Sequence, residues 1–135
     1  MTAEPKRIYL SGPFSWRENL RELAKECRKA GWEVTSRWLD RQEADGDTSR
    51  WRDYANDDLQ DIEDSNVLVL FTRTEGAALN RNSRLWEAGY AYGQMVRVVE
   101  IGPPETIFSY LDNVVRYGTW REFREKFLCE GTAVA

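Results

Sequence analysis

The chain contains no histidine, so any acid–base or nucleophilic chemistry must be carried by other side chains. This absence excludes the pairs in which histidine activates a serine or a cysteine, and it removes nearly all common zinc sites. The two cysteines, Cys27 and Cys129, have no metal-type spacing and are too few for a disulfide framework. We therefore expect no metal ion, and we expect carboxylates to do the chemical work if the protein is an enzyme.

Asp58 is a carboxylate on the apolar face of a predicted helix. In this helix, which runs from about residue 50 to residue 64, the apolar stripe consists of Trp51, Ala55, Leu59 and Ile62. At about 100° per residue, Asp58 falls in the middle of that stripe. An inward carboxylate is costly unless it is hydrogen-bonded or functional. Two interpretations stay open: a structural aspartate bound by nearby backbone N–H groups, or a catalytic acid.

Glu87 is the one acid in a predicted helix over residues 84–93 that has almost no polar face. We expect such a helix to be largely covered. Glu87 lies in its first turns, where the positive end of the helix dipole favours the ionised, nucleophilic form, although a first-turn acid can also serve only to stabilise the helix. Gly89 and Gly93 would let this helix approach the sheet or another subunit closely, or they reflect loose packing.

Together, the two inward carboxylates admit a specific chemistry. Cleavage at an anomeric carbon needs one carboxylate as nucleophile and one acid or hydrogen-bonding partner beside an oxocarbenium-like transition state. Sequence spacing by itself does not distinguish such a pair from a structural one.

The elements that must position these acids alternate between strands and helices. Strands are predicted at residues 7–10, 32–34, 67–71, 96–101 and 114–115, with helices after each of them. The first helix is predicted to begin at Ser15, with Glu18 completing a capping box, and to end at Gly31. This order predicts one α/β domain over residues 1–135, a doubly wound parallel sheet of five strands in the flavodoxin-like order 2-1-3-4-5.

In sheets of this kind, ligands bind beyond the carboxyl ends of the strands, near the switch in strand order. The predicted ligand loops are therefore residues 11–16 and 73–83. A polar loop is also predicted over residues 40–49.

The composition limits the class of partner. The chain has 135 residues, of which 41% are hydrophobic and 31% charged, and its net charge is −4. This charge gives no general attraction to a nucleic-acid polymer or to an anionic membrane surface. No apolar run approaches the roughly 18 residues of a membrane span, and no signal peptide is recognisable. We expect a cytoplasmic protein that acts on a small molecule.

Three segments of the chain resemble those of the nucleoside 2-deoxyribosyltransferase superfamily. Residues 8–14 resemble its opening strand and substrate loop, residues 56–59 with 65–70 resemble its Asp-Leu helix entering the third strand, and residues 86–91 resemble its nucleophile segment. The resemblance spans most of the chain from Arg7 to about Gly102. In outline it is closest to the 2′-deoxynucleoside 5′-phosphate N-hydrolases.

The resemblance implies Glu87 as nucleophile, Asp58 as proton donor or orienting acid, and Tyr9 as a hydroxyl partner near the nucleophile and the sugar. Tyr9 can also be read as an ordinary core aromatic. The implied reaction is hydrolysis of the N-glycosidic bond of a (deoxy)nucleoside 5′-monophosphate by retaining double displacement, without a cofactor. Base exchange onto a second nucleobase is the alternative enzyme activity, and a nucleotide-sensing module without turnover is an alternative of another class.

The resemblance also implies a substrate-binding set and a homodimer or higher homo-oligomer. The predicted substrate-binding residues are Ser11, Gly12, Phe14, Ser15, Arg17, Ser83 and Arg84. Ser83, Arg84 and the N–H groups of a helix start form a candidate anion site, although arginines also serve in surface salt bridges. The chain departs from the superfamily just before the nucleophile, where residues 80–84 contain two arginines instead of a glycine-rich stretch.

Overall fold

The structure is a computed structural model that describes residues 5–41, 48–72 and 82–129. Most of the two loops predicted over residues 40–49 and 73–83 lies outside the described residues.

Five parallel strands form one sheet in the order β2-β1-β3-β4-β5, which confirms the predicted fold class. The strands are Arg7–Ser11 (β1), Glu33–Val34 (β2), Val67–Phe71 (β3), Arg97–Ile101 (β4) and Val115–Tyr117 (β5). Every residue of β3 is buried, as its unbroken apolar sequence predicts for a central strand covered on both faces. The switch in strand order lies between β1 and β3, so their carboxyl ends open onto the expected ligand position.

Four α-helices accompany the sheet in the described part of the chain. They are Arg17–Lys29 (α1), Trp51–Glu63 (α2), Ser83–Gly93 (α3) and Trp120–Phe123 (α4), and α4 continues as a π-helix over Arg124–Cys129. The helix predicted after the fourth strand is a 3₁₀ turn over Ile107–Tyr110, capped by Thr106.

The helices lie on both faces of the sheet. Leu70 of β3 faces the same cavity as α3, whereas its neighbour Phe71 stacks on Trp120 of α4. Because successive strand residues point to opposite faces, α3 and α4 lie on opposite sides. Asp58 of α2 and Glu87 of α3 are in contact, so these two helices share the face that carries both candidate acids.

The predicted start of α1 is wrong. Ser15 lies inside a 3₁₀ turn over Phe14–Trp16, and α1 begins at Arg17 without a side-chain cap. The reason is local: Pro13 is extended and its carbonyl oxygen accepts a hydrogen bond from the Trp16 N–H at 2.9 Å, which tightens the chain into the turn before the helix begins.

The predicted apolar stripe of α2 is wrong in its first half. Ile62 is buried and Leu59 half-buried, but Trp51 and Ala55 are exposed. Helix α2 packs chiefly on α3 and on the 3₁₀ turn Arg37–Asp40, and its first turns therefore lie beyond the core.

The expectation that α3 is largely covered is also wrong for a single chain, because Trp86 is 68% and Tyr92 40% exposed. The segment after β4 is short, because it forms a single 3₁₀ turn in place of a full helix. The side of α3 that carries Trp86 and Tyr92 is therefore left uncovered. No helix in the described ranges is long and apolar enough to cross a bilayer.

Candidate active site

Glu87 is held against the sheet by two hydroxyl groups from β1. The Tyr9 hydroxyl donates to Glu87 Oε2 at 2.8 Å, and the Ser11 hydroxyl donates to Glu87 Oε1 at 2.8 Å. Tyr9 and Ser11 lie two residues apart on one strand, so both side chains project from the same face of the sheet, and both are fully buried. Each carboxyl oxygen of Glu87 therefore has a donor from a rigid element.

Asp58 approaches the same carboxyl group from α2. The side chains of Glu87 and Asp58 are hydrogen-bonded to each other. Burial raises the pKa of Glu87 to about 7, the negative charge of Asp58 adds to the increase, and the hydrogen bonds from Tyr9 and Ser11 oppose it. Two carboxyl groups in contact do not both ionise readily, so near neutral pH this pair holds a proton.

Tyr9 stays a donor in this setting. Burial, followed by the charges of Glu87 and Asp58, raises the pKa of the Tyr9 hydroxyl well above its ordinary value. The phenol therefore keeps its proton and its hydrogen bond to Glu87 across the physiological range.

Arg41 is a member of the site that sequence reasoning missed. Its Nη2 atom lies 2.9 Å from Asp58 Oδ1, and its guanidinium lies over the Tyr54 ring at 4.2 Å from the centroid. Burial raises the pKa of Asp58, and the ion pair with Arg41 opposes that increase. No motif in the sequence pairs these two residues, which are 17 positions apart and joined only by the tertiary fold.

A second buried acid, Asp61, was also missed. Asp61 Oδ2 accepts a hydrogen bond from the Arg37 backbone N–H at 3.0 Å, and Asp61 Oδ1 accepts one from Arg37 Nε at 2.8 Å. Burial raises the pKa of Asp61, and these bonds oppose the increase. Asp61 thus links α2 to the turn after β2 and fixes the helix that carries Asp58.

The predicted residues of the first loop divide into three groups. Gly12 serves close packing, because an added Cβ would lie 3.0 Å from Leu20 Cδ1. The Arg17 guanidinium lies over the Phe14 ring, with its Cζ atom 4.7 Å from the ring centroid. Arg17 Nη1 donates a hydrogen bond to the Arg41 carbonyl oxygen. Arg17 therefore contacts the Arg41 backbone, and Phe14 contacts Arg17. Ser15 is exposed.

Of the two residues predicted at the start of α3, Ser83 is exposed and Arg84 is not available to solvent. The two terminal nitrogens of Arg84 bind Glu105 at 2.7 Å each, and its side chain is only 1% exposed. The pairing of the buried Arg84 with Glu105 favours a structural role for Arg84, which connects α3 to the segment after β4. The predicted phosphate contact of Ser83 and Arg84 stays a prediction, and the pairing with Glu105 argues against it for Arg84.

In the described ranges, no three acidic or cysteine side chains are grouped so that they could hold a metal ion.

No protein-family model matches this chain, and no curated protein sequence gives a significant match. Solved structures do match. The CMP N-glycosidase BcmB of Clostridium botulinum is 15% identical with a TM-score of 0.61, and the match covers 96% of this chain and 100% of that one.

The 2-deoxyribosyltransferase of Bacillus psychrosaccharolyticus is 20% identical with a TM-score of 0.60, covering 85% of this chain and 88% of that one. A conserved protein from Enterococcus faecalis V583 is 14% identical with a TM-score of 0.54, covering 93% and 87%. At these identities the likeness establishes the architecture, which is the one that the sequence resemblance predicts. The chain has the nucleoside 2-deoxyribosyltransferase-like fold.

Proposed function

We propose that this protein hydrolyses the N-glycosidic bond of a nucleoside 5′-monophosphate and releases the free base and a sugar phosphate. The observation that carries the proposal is the setting of Glu87, whose buried carboxyl group accepts hydrogen bonds from Tyr9 and Ser11 and contacts the carboxyl group of Asp58. A nucleophilic carboxylate beside a second acid is the arrangement that retaining glycosidic cleavage uses.

The reaction proceeds in two displacements. Glu87 attacks C1′ of the sugar while the C1′–N bond breaks and its electron pair passes to the base, which takes up a proton supplied through Asp58. Water then attacks C1′ of the glycosyl-enzyme, the sugar phosphate leaves, and the proton of the water returns to the carboxyl pair. Tyr9 and Ser11 hold Glu87 at a fixed orientation throughout, so little reorganisation is needed for attack.

A 5′-phosphate fits the charge of the surrounding elements. Ser83 is exposed at the start of α3, where the positive end of the helix dipole favours an anion. Arg17 adds a cation at the start of α1 beside Phe14, whose ring offers a surface for the base. The CMP N-glycosidase among the solved structures supports a monophosphate substrate.

Base exchange is the second candidate, and the 2-deoxyribosyltransferase among the solved structures favours it. It uses the same glycosyl-enzyme, which a second base resolves in place of water. Adding a large excess of a different base distinguishes the two: exchange yields a new nucleotide, whereas hydrolysis yields only free sugar phosphate.

The deciding experiment incubates the protein with a panel of ribo- and deoxynucleoside monophosphates and measures free base by chromatography. We expect release from at least one member of the panel by the wild type and none by Glu87→Ala. Glu22→Ala is the matched control, because Glu22 is exposed on α1 and its side chain pairs with Lys25. Turnover by Glu87→Ala at the wild-type rate contradicts the mechanism, and binding without any product from the panel favours a nucleotide-sensing module.

We also propose that the protein acts as a homodimer, with the open side of α3 as its interface. Trp86, Tyr92 and Phe108 surround a mainly apolar cavity of about 740 Å³ and are 68%, 40% and 64% exposed. An apolar surface of this kind on a single chain marks an interaction site. An added Cβ at Gly89 or Gly93 would meet nothing within 4 Å, so packing within the chain does not require glycine at either position.

A second copy seated with its α3 against this α3 uses the close approach that the two glycines permit, and a two-fold axis makes the contact self-complementary. Within the described part of the chain, the buried Glu100 Oε1 has no hydrogen-bond partner, and Glu100 lines the same cavity. A donor from the second copy would satisfy that oxygen.

A further inference from the structure

The Arg41–Asp58 ion pair differs from the other arginine–aspartate pairs of α2 in its burial. The side chains of Arg41 and Asp58 are 13% and 20% exposed, whereas Arg37, which serves Asp57 and Asp61, is 59% exposed. A charge pair with little solvent around it is screened much less than an exposed one. Arg41 therefore acts on Asp58 more strongly than a surface arginine would.

Three contacts fix the position of Arg41. Its Nη2 atom binds Asp58, the face of its guanidinium lies on the Tyr54 ring, and its backbone carbonyl oxygen accepts a hydrogen bond from Arg17. Asp58 itself stands between Arg41 on one side and Glu87 on the other. The cation is thus placed to favour charge on one member of the carboxyl pair only.

We propose that Arg41 is a positioning residue, which fixes Asp58 as the ionised member of the carboxyl pair and leaves the one proton of the pair on Glu87. This inference rests on the proposed function. The carboxyl oxygens of Glu87 accept hydrogen bonds from the neutral hydroxyl groups of Tyr9 and Ser11, whereas the cation Arg41 contacts Asp58. The neutral form is therefore the less costly one at Glu87.

This placement gives the pair a defined proton for the reaction. The proton on Glu87 passes to Asp58 and from Asp58 to a ring nitrogen of the base, while the C1′–N electron pair goes to the base and the freed Glu87 oxygen bonds to C1′. In the second displacement, the hydroxyl group of water bonds to C1′ as the bond between C1′ and Glu87 breaks. The electron pair of that bond returns to the Glu87 carboxylate, which takes up the proton of the water. The protein ends each cycle in the protonation state in which it began.

The charged groups around Asp58 come from every element that packs on it. Asp61 lies one turn along α2 from Asp58 and is paired with Arg37. Glu87 of α3 faces Asp58, and so does Tyr9 of β1, which is a neutral phenol. The Asp61 charge disfavours ionisation of Asp58, and Arg41 is the cation that opposes it directly. Removing Arg41 therefore removes the main electrostatic support for the Asp58 carboxylate.

The test compares carboxyl titrations by ¹³C NMR in the wild type, Arg41→Ala, Arg41→Lys and Arg50→Ala. Arg50 is the matched control because it lies over the same Tyr54 ring, at 5.4 Å, and is exposed. We expect Arg41→Ala to raise the pKa of Asp58 by about 1 to 3, as loss of a neighbouring opposite charge does. In Arg41→Lys the pKa of Asp58 should rise less than in Arg41→Ala. In Arg50→Ala the pKa of Asp58 should equal that of the wild type.

Turnover provides the second readout. For a nucleotide that the wild type cleaves, the acid limb of the kcat/KM profile should move to higher pH in Arg41→Ala by the same amount as the Asp58 titration, with partial recovery in Arg41→Lys. An unchanged Asp58 titration, or an equal change in Arg50→Ala, overturns the assignment even if the wild type is a competent glycosidase. If no nucleotide is cleaved, the proposed function fails, and the NMR titrations still decide the role of Arg41. If Arg41→Ala does not fold, the role of Arg41 is decided by comparing the Asp58 titration in Arg41→Lys with that in Arg50→Ala.

Discussion

Replacing Glu87 with glutamine should make the protein more stable, by an amount that depends on pH. The pKa of Glu87 is raised from its ordinary value of 4.5 to about 7, first because of burial. The folded protein therefore binds this proton more tightly than the unfolded chain, and stability falls as the pH rises from about 4.5 to about 7. At about 1.4 kcal/mol per pH unit, ionised Glu87 costs the fold roughly 3 kcal/mol above that range.

The glutamine side chain has the same shape and does not titrate. Its carbonyl oxygen accepts one of the two hydroxyl donors, and its NH₂ group donates to Asp58 in place of the carboxyl proton. The difference in the free energy of unfolding between Glu87→Gln and wild type should therefore be near zero at pH 4.5. It should grow to roughly 3 kcal/mol at pH 8.

Denaturant unfolding from pH 4.5 to pH 9 measures this difference directly, with Glu22→Gln as an exposed control whose difference from wild type stays flat. A stability difference for Glu87→Gln that does not change with pH would refute the reasoning. It would mean that Glu87 ionises in the folded site as readily as in the unfolded chain.

Three further outcomes are expected. Asp58→Asn should slow single turnover of a natural nucleotide by about 10²–10⁴, but less for an analogue whose leaving group needs no protonation; equal losses on both substrates argue against an acid role. Arg84→Ala should lower the free energy of unfolding by about 1.5 to 3 kcal/mol, because α3 loses its charge-assisted hydrogen bonds to Glu105. Its effect on binding should be the same for a nucleoside and its monophosphate, whereas a selective loss of the monophosphate would restore Arg84 to the phosphate site. In sedimentation velocity the wild type should be a dimer and Trp86→Glu a monomer; a monomeric wild type contradicts the proposed interface.

Local patterns in the sequence were sufficient to predict the architecture. The unbroken apolar run at Val67–Phe71 and the regular alternation of strand and helix patterns fix a parallel sheet, because crossovers in such sheets have one hand and the elements are short. Five strands in that alternation suit the flavodoxin-like order 2-1-3-4-5, and it is the order observed.

The candidate acids were also predictable, for a different reason. Asp58 and Glu87 are charged residues at positions where helical periodicity points inward, and an inward charge needs an explanation. Their contact with each other was not predictable, and neither was the pairing of Tyr9 with Glu87, which are 78 residues apart. Periodicity gives the direction of a side chain on its own element, and only packing brings two elements together.

The errors share one physical origin. The sequence determines that Trp51 and Trp86 are apolar, but both are exposed in the single chain, because hydrophobicity does not specify which surface will cover a residue. Likewise, the sequence determines that Arg84 and Arg41 are cations, but the fold decides their partners. Arg84 pairs with Glu105, 21 residues away in sequence, and Arg41 pairs with Asp58, 17 residues away. The sequence thus determines which elements form and which side chains are chemically capable. The tertiary structure decides which of them meet, because contact distances of about 3 Å are set by how the helices and turns pack on the sheet.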